Sequence, residues 1–155
     1  VASGFVDGYR KIIGLASEYH KGDIDPEKLD ELAVEFGRRV IAKYGRADNV
    51  YCDSAEPILI RGIKRAYARE QMPSRVTYAA KTSINGRIRL TVRLMNTERY
   101  GWTEDAETLA KAHREALWDS KIKTEDVRLD DGTTDIDTLD AFEYSIEQDA
   151  NRLIT

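Results

Sequence analysis

The sequence predicts an α/β domain on a mixed sheet, an antiparallel hairpin plus parallel strands, and three observations carry that prediction. Asp7-Gly8 separates two extended stretches, Val1 to Val6 and Tyr9 to His20, and such a pair is a strong hairpin signal because Gly tolerates the positive φ of the turn. The apolar run Asn49-Val50-Tyr51-Cys52-Asp53 ends on a carboxylate and passes at once into a helical pattern. Arg75 to Ala80 then reads as the next strand, which makes the intervening helix a crossover between parallel strands.

The elements follow in order. The hairpin opens the chain with no preceding turn or cap, which places the domain's first element upstream of Val1. Asp25-Pro26 is an N-cap followed by the residue best suited to the first helical position, and Leu29, Leu32, Ala33, Phe36 and Val40 then recur at helical spacing, predicting a helix to about Tyr44 that ends near Gly45. After the strand to Asp53, Glu56 to Glu70 reads as a helix with Ile60, Ile63 and Tyr67 turned inward. Ser83 to Met95 fits both periods, since Ile88, Leu90, Val92 and Leu94 alternate while Ile84, Ile88, Val92 and Met95 follow a helix; the helix is taken. Arg99 to Trp102 reads as a short strand, Glu104 to Trp118 as a helix, Asp130-Asp131-Gly132 as a turn, and Asp137 to Leu153 as a last helix.

At 155 residues and 41% hydrophobic composition the chain is the size of one domain with a real core. No apolar run approaches the roughly 18 residues of a membrane span, and no signal-peptide pattern opens the chain, so the reading is an intracellular protein without a membrane partner. The lone Cys52 permits no intrachain disulfide and reads as a buried structural thiol. A net charge of −4 excludes a broadly basic nucleic-acid coat and leaves room for a local cationic patch.

The chemistry-bearing residues are mostly acids. Asp53, at the carboxyl end of a strand, sits where open α/β sheets place their ligands, and Asp140 falls in the first turn of the last helix. Carboxylates from distant segments are what a hard divalent cation requires. The plainer alternative is that each caps backbone amides or favours a helix dipole. Asp137, three residues before Asp140, either reaches a metal, orients a metal-bound water or caps the helix. Arg61, Lys64, Arg65 and Arg69 on one helix, and Lys81, Arg87, Arg89 and Arg93 after the next strand, could neutralise phosphates, although a solvated face is the plainer reading. His20 and His113 stand far apart without further soft ligands, which disfavours zinc. The GxxxxGK[ST], GxGxxG and GxSxG patterns are absent, which disfavours an ATPase motor, a dinucleotide enzyme and a common serine hydrolase.

Val50-Tyr51-Cys52-Asp53-Ser54-Ala55-Glu56-Pro57, read with Lys81 after the next strand and with Asp135-Ile136-Asp137-Thr138-Leu139-Asp140-Ala141-Phe142-Glu143-Tyr144, resembles the nuclease domain of tailed-phage terminase large subunits over nearly the whole chain. The resemblance implies a ribonuclease H-like fold, with a three-stranded antiparallel meander, parallel strands and helices on both faces. It matches Asp53 to the second catalytic acid, Asp140 to the third, and Asp137 to a position beside the metals that is often histidine. The family's first acid lies on the first strand of the meander, upstream of Val1, and its ATPase domain has no counterpart here.

The implied function is a two-metal-ion endonuclease using Mg²⁺ or Mn²⁺, with Asp53, Asp140 and Asp137 as metal residues and Lys81 and Arg87 as DNA contacts. It would cut concatemeric double-stranded viral DNA during genome packaging in the host cytoplasm, with portal and small terminase subunit as partners of the full-length protein. The alternatives are another ribonuclease H-like nuclease, such as a junction resolvase, and a non-catalytic module that docks on DNA or a portal-like partner.

Overall fold

The hairpin at the start of the chain is formed by β1 (Ala2–Val6) and β2 (Lys11–Ala16), which pair antiparallel. The computed structural model describes residues 1–118 and 135–154, and their contacts fall into two compact units, Val1–Tyr19 with Ala80–Thr155, and His20–Ala79. The structure is mixed α/β.

In the first unit Asp7 and Gly8 both take positive φ, 54° and 70°, as a mirror-image turn requires. The strands rejoin only at Val6 and Lys11, however, so the connection has four residues rather than two. The second strand is also shorter than predicted. Beyond Ala16 the backbone of Ser17 donates to the carbonyl of Asp105 at 3.1 Å, and its hydroxyl accepts the amide of Leu109 at 3.0 Å, so this stretch anchors a helix instead of extending the ladder. The predicted short strand forms as β5 (Tyr100–Trp102) and pairs parallel with β2, giving the order β1-β2-β5 and a sheet of three.

The ambiguous segment is a helix, α3 (Ile84–Asn96), capped by Ser83, whose hydroxyl accepts the amide of Gly86 at 3.1 Å. Its buried positions Arg87, Leu90, Thr91 and Leu94 have helical spacing, but they are not the face expected: of the helical set, Ile84 and Val92 are exposed. A single 3₁₀ turn, Glu104–Ala106, leads into α4 (Glu107–Trp118). Leu109 of α4 lies so close to β2 that a Cβ on Gly14 would come within 2.7 Å of its Cδ2, which explains a glycine inside a strand. The last predicted helix is interrupted. It forms as α5 (Ile136–Ile146) and α6 (Ala150–Ile154), joined by a 3₁₀ turn at Glu147–Asp149, where the Glu147 side chain is drawn to the amide of Thr82 at 3.2 Å. Ile12, Leu90, Leu94, Ala106, Leu109, Phe142, Ile146 and Leu153 form one core. Tyr100 stacks on Phe142 with ring centroids 4.5 Å apart. The predicted turn at Asp130-Asp131-Gly132 lies outside the described residues.

The second unit begins with α1 (Pro26–Tyr44), whose cap Asp25 accepts the amide of Lys28 at 2.9 Å and whose end is Gly45 at φ 101°. Then come β3 (Asn49–Cys52), α2 (Pro57–Arg69) and β4 (Arg75–Tyr78), and the two strands pair parallel from Asn49↔Arg75 to Cys52↔Tyr78. The crossover is therefore real. α1 packs on α2 where Gly37 admits the Tyr67 ring, whose hydroxyl donates to the Ala33 carbonyl at 3.0 Å. Val34, Ile60, Ala66, Tyr67 and Val76 fill this core. Among the described residues no helix is long and apolar enough to cross a membrane.

Candidate functional site

The two acids singled out by the sequence fall in different units, Asp53 in His20–Ala79 and Asp140 in the other. Asp53 stands one residue beyond the end of β3, at the carboxyl end of the parallel pair. It is exposed, and its Oδ1 accepts the amide of Ala55 at 3.1 Å. That bond closes the tight turn from strand to helix, after which Pro57 starts α2 with its φ already set. The preceding residue, Cys52, is partly buried, and desolvation pushes its thiol up to about 11. It is a packing residue, with Val50 against the second core.

Asp140 has a different environment. α5 is capped by Asp135, whose Oδ1 accepts the amide of Thr138 at 3.0 Å while its Oδ2 accepts the Thr138 hydroxyl. The capping role considered for Asp137 therefore belongs to Asp135, and Asp137 is an exposed residue of the first turn. One side of α5 sends Leu139, Phe142 and Ile146 into the core. On the neighbouring side Asp140, Glu143 and Glu147 follow at three- and four-residue spacing, which aligns acids along a helix.

Arg87 of α3 meets those acids. Its Nε donates to Glu143 Oε1 at 2.9 Å, its Nη2 to Asp140 Oδ1 at 3.3 Å, and its Nη1 to the carbonyl of Thr82. The guanidinium also lies over the Tyr144 ring, 5.1 Å from its centroid. Arg87 and Glu143 have side chains 5% and 4% exposed, so theirs is a buried ion pair, whereas Asp140 at 27% reaches solvent. Burial opposes the charge of Arg87, and the hydrogen bond and charge of Glu143, followed by Tyr144 and Asp140, overcome it and hold the guanidinium above its ordinary value. Thr82 closes the network by donating its amide to Glu147 Oε1, while the buried Glu147 Oε2 has no hydrogen-bond partner among the described residues.

The structure thus gives Arg87 an internal place. The sequence offered it as a DNA contact, but a guanidinium spent on a buried carboxylate, a second acid and a carbonyl is badly placed to meet a phosphate outside. Lys81, three residues beyond the end of β4, is exposed and takes a left-handed φ of 53°. Arg61, Lys64 and Arg65 are exposed along α2, and Arg89 and Arg93 along α3. His113 is buried, its Nε2 hydrogen-bonded with the Tyr100 hydroxyl at 2.8 Å. Burial, with Glu143 as a lesser cause, raises the pKa of that phenol.

The carboxylates of Asp53 and Asp140 are hard oxygen donors of the right kind for Mg²⁺ or Mn²⁺. The number of donors within either unit does not fit a complete cation site. Among the described residues no three His, Cys, Asp or Glu side chains gather closely enough to hold a metal ion, and the position next to Asp140 is taken by a guanidinium. Sequence reasoning missed Glu143 and Glu147, although their spacing from Asp140 was a usable signal; it had no means of finding Thr82, which acts through its backbone. No protein-family model, curated protein or solved structure matches the chain.

Proposed function

We propose that the chain is a ribonuclease H-like nuclease domain that hydrolyses phosphodiester bonds of double-stranded DNA with a divalent cation, Mg²⁺ or Mn²⁺. The observation that carries the reading is where the two acids stand, each within its own unit. Asp53 ends the first strand of a parallel β–α–β unit, and Asp140 is held in the second turn of α5 by a fixed guanidinium while still reaching solvent. The likeness of both segments to terminase nuclease domains supplies the chemistry. When bound, two such cations would activate water and stabilise the leaving oxygen. The chain's own contribution is carboxylate charge at Asp53 and Asp140, with Arg87 and Glu143 fixing the orientation of the latter. Lys81 is the phosphate contact retained in this reading, and Asp137 remains a candidate beside the cation.

In that setting the biological act is cutting concatemeric viral DNA during genome packaging in the host cytoplasm. Portal and small terminase subunit would be met through the full-length protein. The test is Mn²⁺-dependent nicking of a supercoiled plasmid, with the chain as it stands and extended upstream through the strand on which the resemblance places the first acid. Nicking by the extended chain that disappears in both Asp53→Asn and Asp140→Asn is expected; nicking retained in both variants would refute it. Linear duplex, RNA–DNA hybrid and branched substrates separate a packaging nuclease from a junction resolvase.

A second reading, a non-catalytic module that docks on DNA or a portal-like partner, is favoured by the guanidinium beside Asp140 and by the absence of a three-ligand cluster among the described residues. Absence of Mn²⁺ binding to the extended chain would select it.

A further inference from the structure

A cavity of about 900 Å³ opens in the first unit between the β1–β2 turn, the turn from α3 to β5 and helix α6. Four cations line it, Arg10, Lys11, Arg99 and Arg152, against two carboxylates, those of Asp7 and Glu98, a formal balance of +2 on a chain whose net charge is −4. Positive charge concentrated on an acidic body is a local device, because bulk charge would repel the same ligand.

Arg99 is the built part of this cleft. Its Nε donates to the carbonyl of Arg10, and its Nη2 donates to the carbonyls of Tyr9, at 3.2 Å, and Leu153. Three carbonyls fix the plane of the guanidinium without neutralising it, so its ordering entropy has already been spent before any ligand arrives. Arg10 and Lys11 follow at the start of β2, both exposed, and make no side-chain hydrogen bond or ion pair among the described residues. On the other wall the Arg152 guanidinium lies 4.9 Å from the Tyr9 ring centroid and donates to the Tyr9 hydroxyl, with Asp149 a looser partner at 3.4 Å.

We propose that this cleft binds the phosphates of a nucleic-acid backbone. Arg99 keeps its Nη1 clear of hydrogen bonds among the described residues, and charged N–H donors make strong hydrogen bonds to phosphate oxygens. The cavity is far larger than one phosphate and is lined by four cations, enough to meet several successive phosphates. Tyr9, packed on Phe5 and lying under the Arg152 guanidinium, holds that cation at the wall of the cleft. The cleft is separate from the Asp140 network, twelve residues further along the chain at Arg152, so it extends the nuclease reading without depending on it.

The experiment is fluorescence anisotropy of a labelled DNA duplex with the whole chain in EDTA, across a salt series, for wild type and the exposed pair Arg10→Glu/Lys11→Glu. Without divalent metal no cleavage intrudes, so failure of the nuclease reading and failure of this one are told apart. We expect at least tenfold weaker binding in the double variant, and a slope of log affinity on log salt shallower by about 2, as for two lost phosphate contacts. Unchanged melting temperature excludes misfolding as the cause; if the double variant unfolds, Arg10→Gln/Lys11→Gln is measured in its place, with the same direction expected. Affinity and slope equal to wild type would overturn the proposal. So would displacement of DNA by polyglutamate as effective as by unlabelled DNA of equal charge, or saturable binding of inorganic phosphate in the cleft that DNA does not compete away.

Discussion

Asp53 and Asp140 are the same side chain set in place by opposite means. Asp53 is placed by its own neighbours: a strand ends, the carboxylate accepts an amide two residues ahead, and a proline starts the next helix. Asp140 is placed by a guanidinium 53 residues earlier in the chain, which is itself anchored on the buried Glu143. A locally set acid is insensitive to the core around it, whereas one set at long range inherits every change in the network behind it.

The largest effect should come from cutting that network at its centre. Arg87→Met leaves Glu143 charged and buried without its partner, and removal of one member of such a pair costs about 3–5 kcal/mol. Urea unfolding should show that loss, and the compensated variant Arg87→Met/Glu143→Leu should recover most of it, since an apolar pair of similar volume avoids the desolvation of both charges. A loss under about 1 kcal/mol in the single variant would mean that the pair is solvated and that Asp140 is not held from within.

Next in size is the contrast within four atoms of backbone at the end of β3, where a desolvated thiol precedes an exposed carboxylate. With its thiol pushed up to about 11 from an ordinary 9.0, Cys52 should carry about a hundredfold less thiolate at pH 8 than an unperturbed cysteine. The sign follows from the raised value: ionisation favours the unfolded chain, so the contribution of Cys52 to stability is intact below the ordinary thiol range and is lost as pH rises toward 11. An ultraviolet thiolate titration checks it. A midpoint near the ordinary value would show Cys52 to be as open as its neighbour.

A smaller effect, about 1 kcal/mol, is expected from Asp140→Asn in the absence of metal. The amide keeps an oxygen for Arg87 at a 3.3 Å contact that was already long, and loses only the charge-assisted part of the bond. Neutralising crowded acids would have raised stability; the guanidinium beside Asp140 reverses that sign. Thermal melting in EDTA decides between the two directions.

How much of this was legible follows the same division between local and distant causes. The cap at Asp25, the strand running up to Asp53 and the crossover through α2 are written in neighbouring residues, and the structure shows each. That α3 is a helix was legible, but its inward face was not: Ile84 and Val92 of the expected set are exposed, and Leu90 and Leu94 are buried instead. What escaped were pairings across long intervals. The parallel register of β5 on β2 joins residues about 88 positions apart, and the 3₁₀ break after α5 coincides with Glu147 reaching back to Thr82. Arg87 was misassigned for the same reason, because a cation on a helix surface and a cation buried on a distant acid look identical in a list of residues. Asp135 took the cap from Asp137 by two residues, a margin that spacing alone does not resolve.

The smallest stability effect is expected from Asp53→Asn, and it is the one that bears most directly on function. Asparagine accepts the Ala55 amide as readily as aspartate does and is equally at home in a strand-to-helix turn. Loss of a single exposed charge should leave stability within about 0.5 kcal/mol. If Asp53 serves only its turn, the extended chain carrying Asp53→Asn should nick DNA in Mn²⁺ as well as wild type. If the charge itself is used, nicking should vanish while the melting curve stays where it was. Because Asp140→Asn is expected to lower both stability and activity, its loss of activity alone would be ambiguous; Asp53 separates the two. A fall of more than about 1 kcal/mol for Asp53→Asn would show that the acid is held by more than its local turn, and the contrast drawn between the two carboxylates would fail with it.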